Sequence, residues 1–141
     1  MHLSLLLHNI GYTVSAVLSL SLGLFVLSRG WTKRDNRLYF FASLSFVVYL
    51  IAHLLGANAT DPELSYFFML MTNVIVFSVC FTAHFGFSVF KKLQQQRVGL
   101  VIMYVFAFVL ALLTAFRPEL LVAGVMPVQF FPFFLVPGPY Y

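Results

Sequence analysis

The chain has 141 residues, of which 62% are hydrophobic and 9% charged, and its net charge is +4. Soluble domains have roughly a quarter of their residues charged, so an ordinary soluble fold is excluded. A nucleic-acid-binding role is also excluded, because the cations flank apolar runs as two short clusters and no recognition fold accompanies them.

Four apolar runs, about 3–28, 38–57, 64–90 and 98–116, are long enough to span a bilayer. A hydrocarbon core of about 30 Å needs about 20 helical residues. The first and third runs exceed this and are expected to tilt or to extend into the headgroups. The first run is not expected to be a cleaved signal peptide: it lacks a basic leading region, and Arg29 stands where a small-residue cleavage site is wanted.

Of the eight Lys and Arg residues, seven lie after the first and third runs. Arg29, Lys33, Arg34 and Arg37, with Trp31 among them, and then Lys91, Lys92 and Arg97, are read as topology anchors. The positive-inside rule makes these loops cytoplasmic and puts the N-terminus, the 58–63 loop and everything after Arg117 outside. The predicted fold is an all-α integral membrane protein. Residues 1–117 form a four-transmembrane-helix bundle with both ends outside, and 118–141 form an irregular extracytoplasmic segment.

In chain order, the first run carries Gly11, Ser15, Ser19 and Gly23 at four-residue spacing. Small residues let another helix approach closely, so this is read as one packing face. The second run has a polar face of Ser45, Tyr49, His53 and Gly56. The next loop is a helix-start signal, with Thr60 and Glu63 at capping-box spacing and Pro62 in the first turn. The sequon Asn58-Ala59-Thr60 is discounted as too close to the membrane.

The third run is the most polar, with Asn73, Cys80, His84 and Ser88 on one stripe and Thr72, Ser78 and Thr82 around it. Polar side chains at membrane depth usually face the bundle interior. Cys80 is the sole cysteine, which rules out a disulfide within the chain, and it is read as a packing residue. The fourth run repeats the small-residue spacing with Gly99, Met103, Ala107, Ala111 and Ala115, and also holds Tyr104. After Arg117 come five of the six prolines, with Phe130, Phe131, Phe133, Phe134, Tyr140 and Tyr141. Proline breaks a helix interior, so this segment is expected to lie on the outer headgroups or to cap the bundle.

No nucleophile–base pair, phosphate loop or carboxylate pair is legible, and no catalysis is expected. The histidines His2, His8, His53 and His84 are the candidates for a metal or haem site. At 1.5 Å per residue, His53 lies about 6 Å and His84 about 28 Å below the outer ends of their runs, so the two cannot share one iron. His8 and His53 lie at similar depth and are free to meet. No metal and no cofactor is expected. For His84 the plain reading is an interhelical hydrogen bond. Eighteen phenylalanines leave a hydrophobic ligand such as a quinone, lipid or pigment open.

The chain carries a helix ending Gly23-Leu24-Phe25-Val26-Leu27-Ser28-Arg29 and a basic loop ending Asn36-Arg37-Leu38-Tyr39-Phe40-Phe41. A polar outer loop follows with Asp61-Pro62-Glu63-Leu64, then a helix ending Phe81-Thr82-Ala83-His84-Phe85 and a further helix near Tyr104. With its closing Pro137-Gly138-Pro139-Tyr140, this resembles the N-terminal seven-transmembrane sensor region of bacterial histidine kinases. The chain's residues match the first four helices of that pattern, as expected of the leading part of a longer receptor or of a shortened relative used for assembly. The resemblance implies a sensor or input region in the bacterial inner (cytoplasmic) membrane, whose partners are the lipid bilayer and other membrane helices or subunits.

In that reading Tyr49, His53, Asn73 and His84 form the ligand-sensing or polar network, and a shift in helix packing carries the signal. A small accessory or scaffold subunit of a respiratory or photosynthetic complex is the alternative. A transporter half would want inverted repeats or broken helices near the midplane.

Overall fold

The computed structural model describes residues 3–128 and 131–139. His2, Phe130, Tyr140 and Tyr141 lie outside the described residues. Four helical stretches are long and apolar enough to cross a membrane: Leu3–Ser28, Arg34–Asn58, Pro62–Val89 and Arg97–Phe116. They comprise α1 (Leu3–Ser28), α2 (Arg34–Asn58), α3 (Pro62–Met71), α4 (Ile75–Val89) and α5 (Arg97–Phe116). Two strands, β1 (Val122–Val128) and β2 (Phe131–Pro137), follow.

Helix α2 starts four residues before the predicted run, because Arg34-Asp35-Asn36-Arg37 forms its first turn. Hydropathy alone does not see a charged first turn that projects beyond the apolar core. The loop before it is folded back by Asn36 Nδ2, which donates to Gly30 O at 3.0 Å. Gly30 has φ +148°, a conformation that L side chains rarely adopt.

The cap of α3 is Asp61, not Thr60. Its side chain accepts from Glu63 N at 3.0 Å, and Pro62 occupies the first turn. Proline's fixed φ places the helix start one residue later than the Thr60–Glu63 spacing implied. Between α3 and α4 the third span tightens into a 3-10 turn, Thr72–Val74. Thr72 Oγ1 donates back to Met69 O at 2.6 Å, a side-chain bond that competes with the helical ladder. Residues Met71, Thr72 and Ile75 keep right-handed helical dihedrals, so the span is tightened and not unwound. At the far end of α4, Lys91 takes φ +56°. Lys92 N donates to Phe87 O and Lys91 N to Ser88 O. This is a Schellman closure with lysine at the position where glycine is common.

Helix α2 is central, with α1 on one flank and α3–α4 on the other, and α5 packs on α4 and the 3-10 turn. The seam between α2 and the third span is stitched by buried hydroxyls. Ser65 Oγ donates to Gly56 O at 2.9 Å, and Ser78 Oγ donates to Ala42 O at 3.0 Å. A Cβ at Gly56 would stand 3.0 Å from the fully buried Met69.

The chain's own helices cover only part of each predicted small-residue face. On α1, Gly23 is buried and a Cβ there would lie 2.9 Å from Ser43 Cβ, whereas Gly11 and Ser15 are exposed and a Cβ at Gly11 meets nothing within 4 Å. On α5, Ala107 is fully buried, whereas Gly99 and Ala115 are exposed. Four-residue spacing drifts about 40° per step on a helix of 3.6 residues per turn. Over three or four steps the stripe therefore rotates off the contact.

The segment after α5 is not irregular. Strands β1 and β2 pair antiparallel, with Val125 opposite Leu135 and Met126 opposite Phe134. The register shifts between Met126 and Val128, the stretch that contains Pro127 and faces Pro132. Proline is tolerated at a bulge or on an edge where no ladder hydrogen bond is needed. The hairpin base is closed by Gly138 N donating to Leu121 O at 2.9 Å. A cluster of Leu70, Leu121 and Val122, joined by Tyr66, Leu110 and Leu135, docks it against α3 and α5. Just before it, Arg117 and Glu119 form an exposed ion pair, which holds the Glu119 carboxyl below its ordinary range.

Candidate functional site: a polar seam on α5 and an aromatic cluster under the hairpin

The third span meets α5 along the polar stripe seen in the sequence. Asn73, in the 3-10 turn, donates from Nδ2 to Thr114 Oγ1 at 3.1 Å, and Thr114 is held by its own bond to Leu110 O. Cys80, buried, donates from Sγ to Met103 O at 3.5 Å. His84 Nδ1 lies 3.2 Å from the Tyr104 hydroxyl. Asn73, Cys80 and His84 recur at helical spacing, so a single face of the third span reaches α5 at three depths. Ser88, the last member of the stripe, turns instead to α2: Arg34 Nη2 donates to its Oγ at 2.7 Å, and the hydroxyl donates to Asp35.

Tyr49 and His53 form a second, separate site between α1 and α2. The His53 ring lies 4.8 Å from Tyr12, 5.4 Å from His8 and 6.0 Å from Tyr49, centroid to centroid. The edge of Phe134 from β2 meets the same ring at 6.1 Å. The hairpin thus covers the cluster from above, and aromatic rings at these separations and tilts attract one another. His8 and His53 do meet, as their similar depth allowed. Among the described residues no group of three or more His, Cys, Asp or Glu side chains converges.

The four predicted network residues therefore divide in two: Tyr49 and His53 sit in the aromatic cluster, where His53 meets the hairpin, and Asn73 and His84 sit on the α5 seam. Sequence reasoning missed Tyr12, which follows His8 by one helical turn, and Thr114, which is one of several hydroxyls in apolar surroundings. It also missed the reciprocal amide pair of Asn9 and Asn58, at 2.9 and 2.8 Å, which ties α1 to the end of α2. That pair occupies the side chain of the sequon asparagine.

Two grooves open between the helices. One, of about 340 Å³, lies between α1, α2 and α4 and is lined by Ser19, Ser43, Ser78 and Thr82. The other, of about 230 Å³, runs beside the Asn73–Thr114 bond and is walled by Leu70, Phe77 and Ala111.

The chain matches no family model, no curated protein and no solved structure.

Proposed function

We propose that this chain is the membrane-embedded input region of a bacterial signal-transduction protein, with no catalysis of its own. It would sit in the inner membrane with the basic loops in the cytoplasm. The observation that carries this reading is the way α5 is held. It buries only Leu100 and Ala107 among its residues, against seven buried residues on α2. Side-chain hydrogen bonds to the third span supply much of its specific attachment, each worth about 0.6–2 kcal/mol in a membrane. At its other end α5 runs through a short 3-10 turn into the hairpin.

A ligand or membrane state that moves the hairpin over His53 would load α5 directly. A few kcal/mol of hydrogen bonding is within what a ligand's differential affinity for two packings can shift. The signal would leave through contacts with neighbouring membrane helices.

A specific observation also favours the accessory-subunit reading: the groove between α1, α2 and α4 is a surface that a further helix could complete. Deletion in the native cell separates the two. An input region predicts a confined set of altered transcripts, with membrane complexes unchanged on native gels. Loss of a large complex, with transcription unchanged, would overturn the input reading and favour the subunit.

A further inference from the structure

At the basic end, α2, α4 and α5 leave an open cleft with two lobes, of about 370 and 390 Å³, that share Arg34, His84 and Tyr104. Arg97, the first residue of α5, lines one lobe and Arg37 the other. Three arginines thus line the two lobes, and Arg34 is common to both. The Asp35 carboxylate lies 3.8 Å from Arg34 Nε, and Ser88 bridges the two side chains. That bridge holds Arg34 in place and offsets one of the three charges. Arg37 and Arg97 form no ion pair among the described residues.

The lining changes with depth. Arg34 and Arg97 are the first residues of their helices, and basic residues at the ends of spanning helices favour the headgroup layer. His84 and Tyr104 lie about 8–10 Å further in, at 1.5 Å per residue. The headgroup layer is about 5–8 Å thick on each side of the hydrocarbon, so the two rings fall at or just below its inner edge, where the ester region of a lipid gives way to its acyl chains. The second lobe is floored by Leu38, Phe41 and Phe81, and the last two rings are 5.7 Å apart.

We propose that this cleft binds an anionic phospholipid. Its phosphodiester lies among Arg34, Arg37 and Arg97, its ester region lies against Tyr104 and His84, and an acyl chain lies along Phe41 and Phe81. Guanidinium groups match phosphate oxygens in bidentate geometry, and basic pockets between membrane helices on the cytoplasmic side favour such headgroups. Zwitterionic lipids bring their own cation to the rim and gain less from the surplus positive charge. Free phosphate would leave the aromatic floor unused.

Native mass spectrometry of the full chain in mild detergent tests this, with phosphatidylglycerol, phosphatidylcholine and inorganic phosphate as probes. Retention of phosphatidylglycerol well above phosphatidylcholine is expected, with no competition from millimolar phosphate. Arg37→Gln and Arg97→Gln should each lower phosphatidylglycerol affinity about fivefold, and together on the order of thirtyfold. Neither residue takes part in the Arg34–Ser88 bridge, and the single variants decide the matter if the double variant is recovered poorly. Lys33→Gln with Lys92→Gln removes equal charge outside the cleft and should leave the affinity within about twofold. Equal loss in both double variants, or no preference for phosphatidylglycerol, would overturn the lipid site. Displacement by inorganic phosphate would do so as well, by assigning the rim to a free anion.

Discussion

His84 Nδ1 lies 3.2 Å from the hydroxyl of Tyr104, and among the described residues this is the side-chain hydrogen bond between the third span and α5 that lies nearest the basic end. The rings themselves meet edge-on, 6.0 Å between centroids. A double-mutant cycle of His84→Ala and Tyr104→Phe isolates this pair. The expected coupling is about 0.6 kcal/mol, and no more than about 2 kcal/mol, read from unfolding equilibria in detergent. Strict additivity would mean that the two side chains do not interact.

Close approach of α1 to α2 depends on Gly23 and not on Gly11. A Cβ at Gly23 meets Ser43 Cβ at 2.9 Å and Phe40 at 3.6 Å, whereas the same atom at Gly11 meets nothing within 4 Å. Gly23→Leu should therefore destabilise the chain by about 1–3 kcal/mol through overpacking. Gly11→Leu should stay within about 0.5 kcal/mol of the parent. Thermal unfolding of both variants in the same detergent checks the contrast, and similar losses would place the seam wrongly.

The spans were legible because about 20 apolar residues between charged loops have few alternatives. The stripe of Asn73, Cys80 and His84 was legible for a similar reason, since polar groups at membrane depth seek a partner. What those groups bond to was not. Thr114 and Met103 O carry no signal in the sequence that sets them apart from their neighbours. On α1 and α5 the chain's own contacts cover Gly23 and Ala107 and leave Gly11 and Gly99 exposed, because strict four-residue spacing drifts around the helix. Prolines ruled out a helix after Arg117, but they also argue against strands. Only the bulged register, which places Pro127 and Pro132 where the ladder is interrupted, reconciles them with a hairpin.

Docking of that hairpin tolerates no side chain at Gly138. An added Cβ would lie 2.7 Å from Leu120 O and 2.8 Å from Leu121 C, both backbone atoms that cannot rotate away. Gly138→Ala should loosen the hairpin base and speed proteolytic cleavage within 122–137 severalfold, while the helices stay protected. Unchanged cleavage would show that the base is not held by this contact.

Orientation follows from the positive-inside reading and is open to direct labelling. In a Cys80→Ala background, Thr60→Cys should react with a membrane-impermeant maleimide in intact spheroplasts. Gln95→Cys should react only after permeabilisation. The opposite pattern would invert the topology, and with it the side on which the hairpin meets a stimulus.

A signal carried by the seam between the third span and α5 would reach gene expression. Transcript profiling of native cells that carry Asn73→Ala with His84→Ala tests it most directly, with membrane insertion verified on the same samples. Wild-type abundance in the membrane is expected, with altered expression of the same genes that respond to deletion. Wild-type abundance with an unaltered profile, in cells whose deletion does alter it, would contradict the claim.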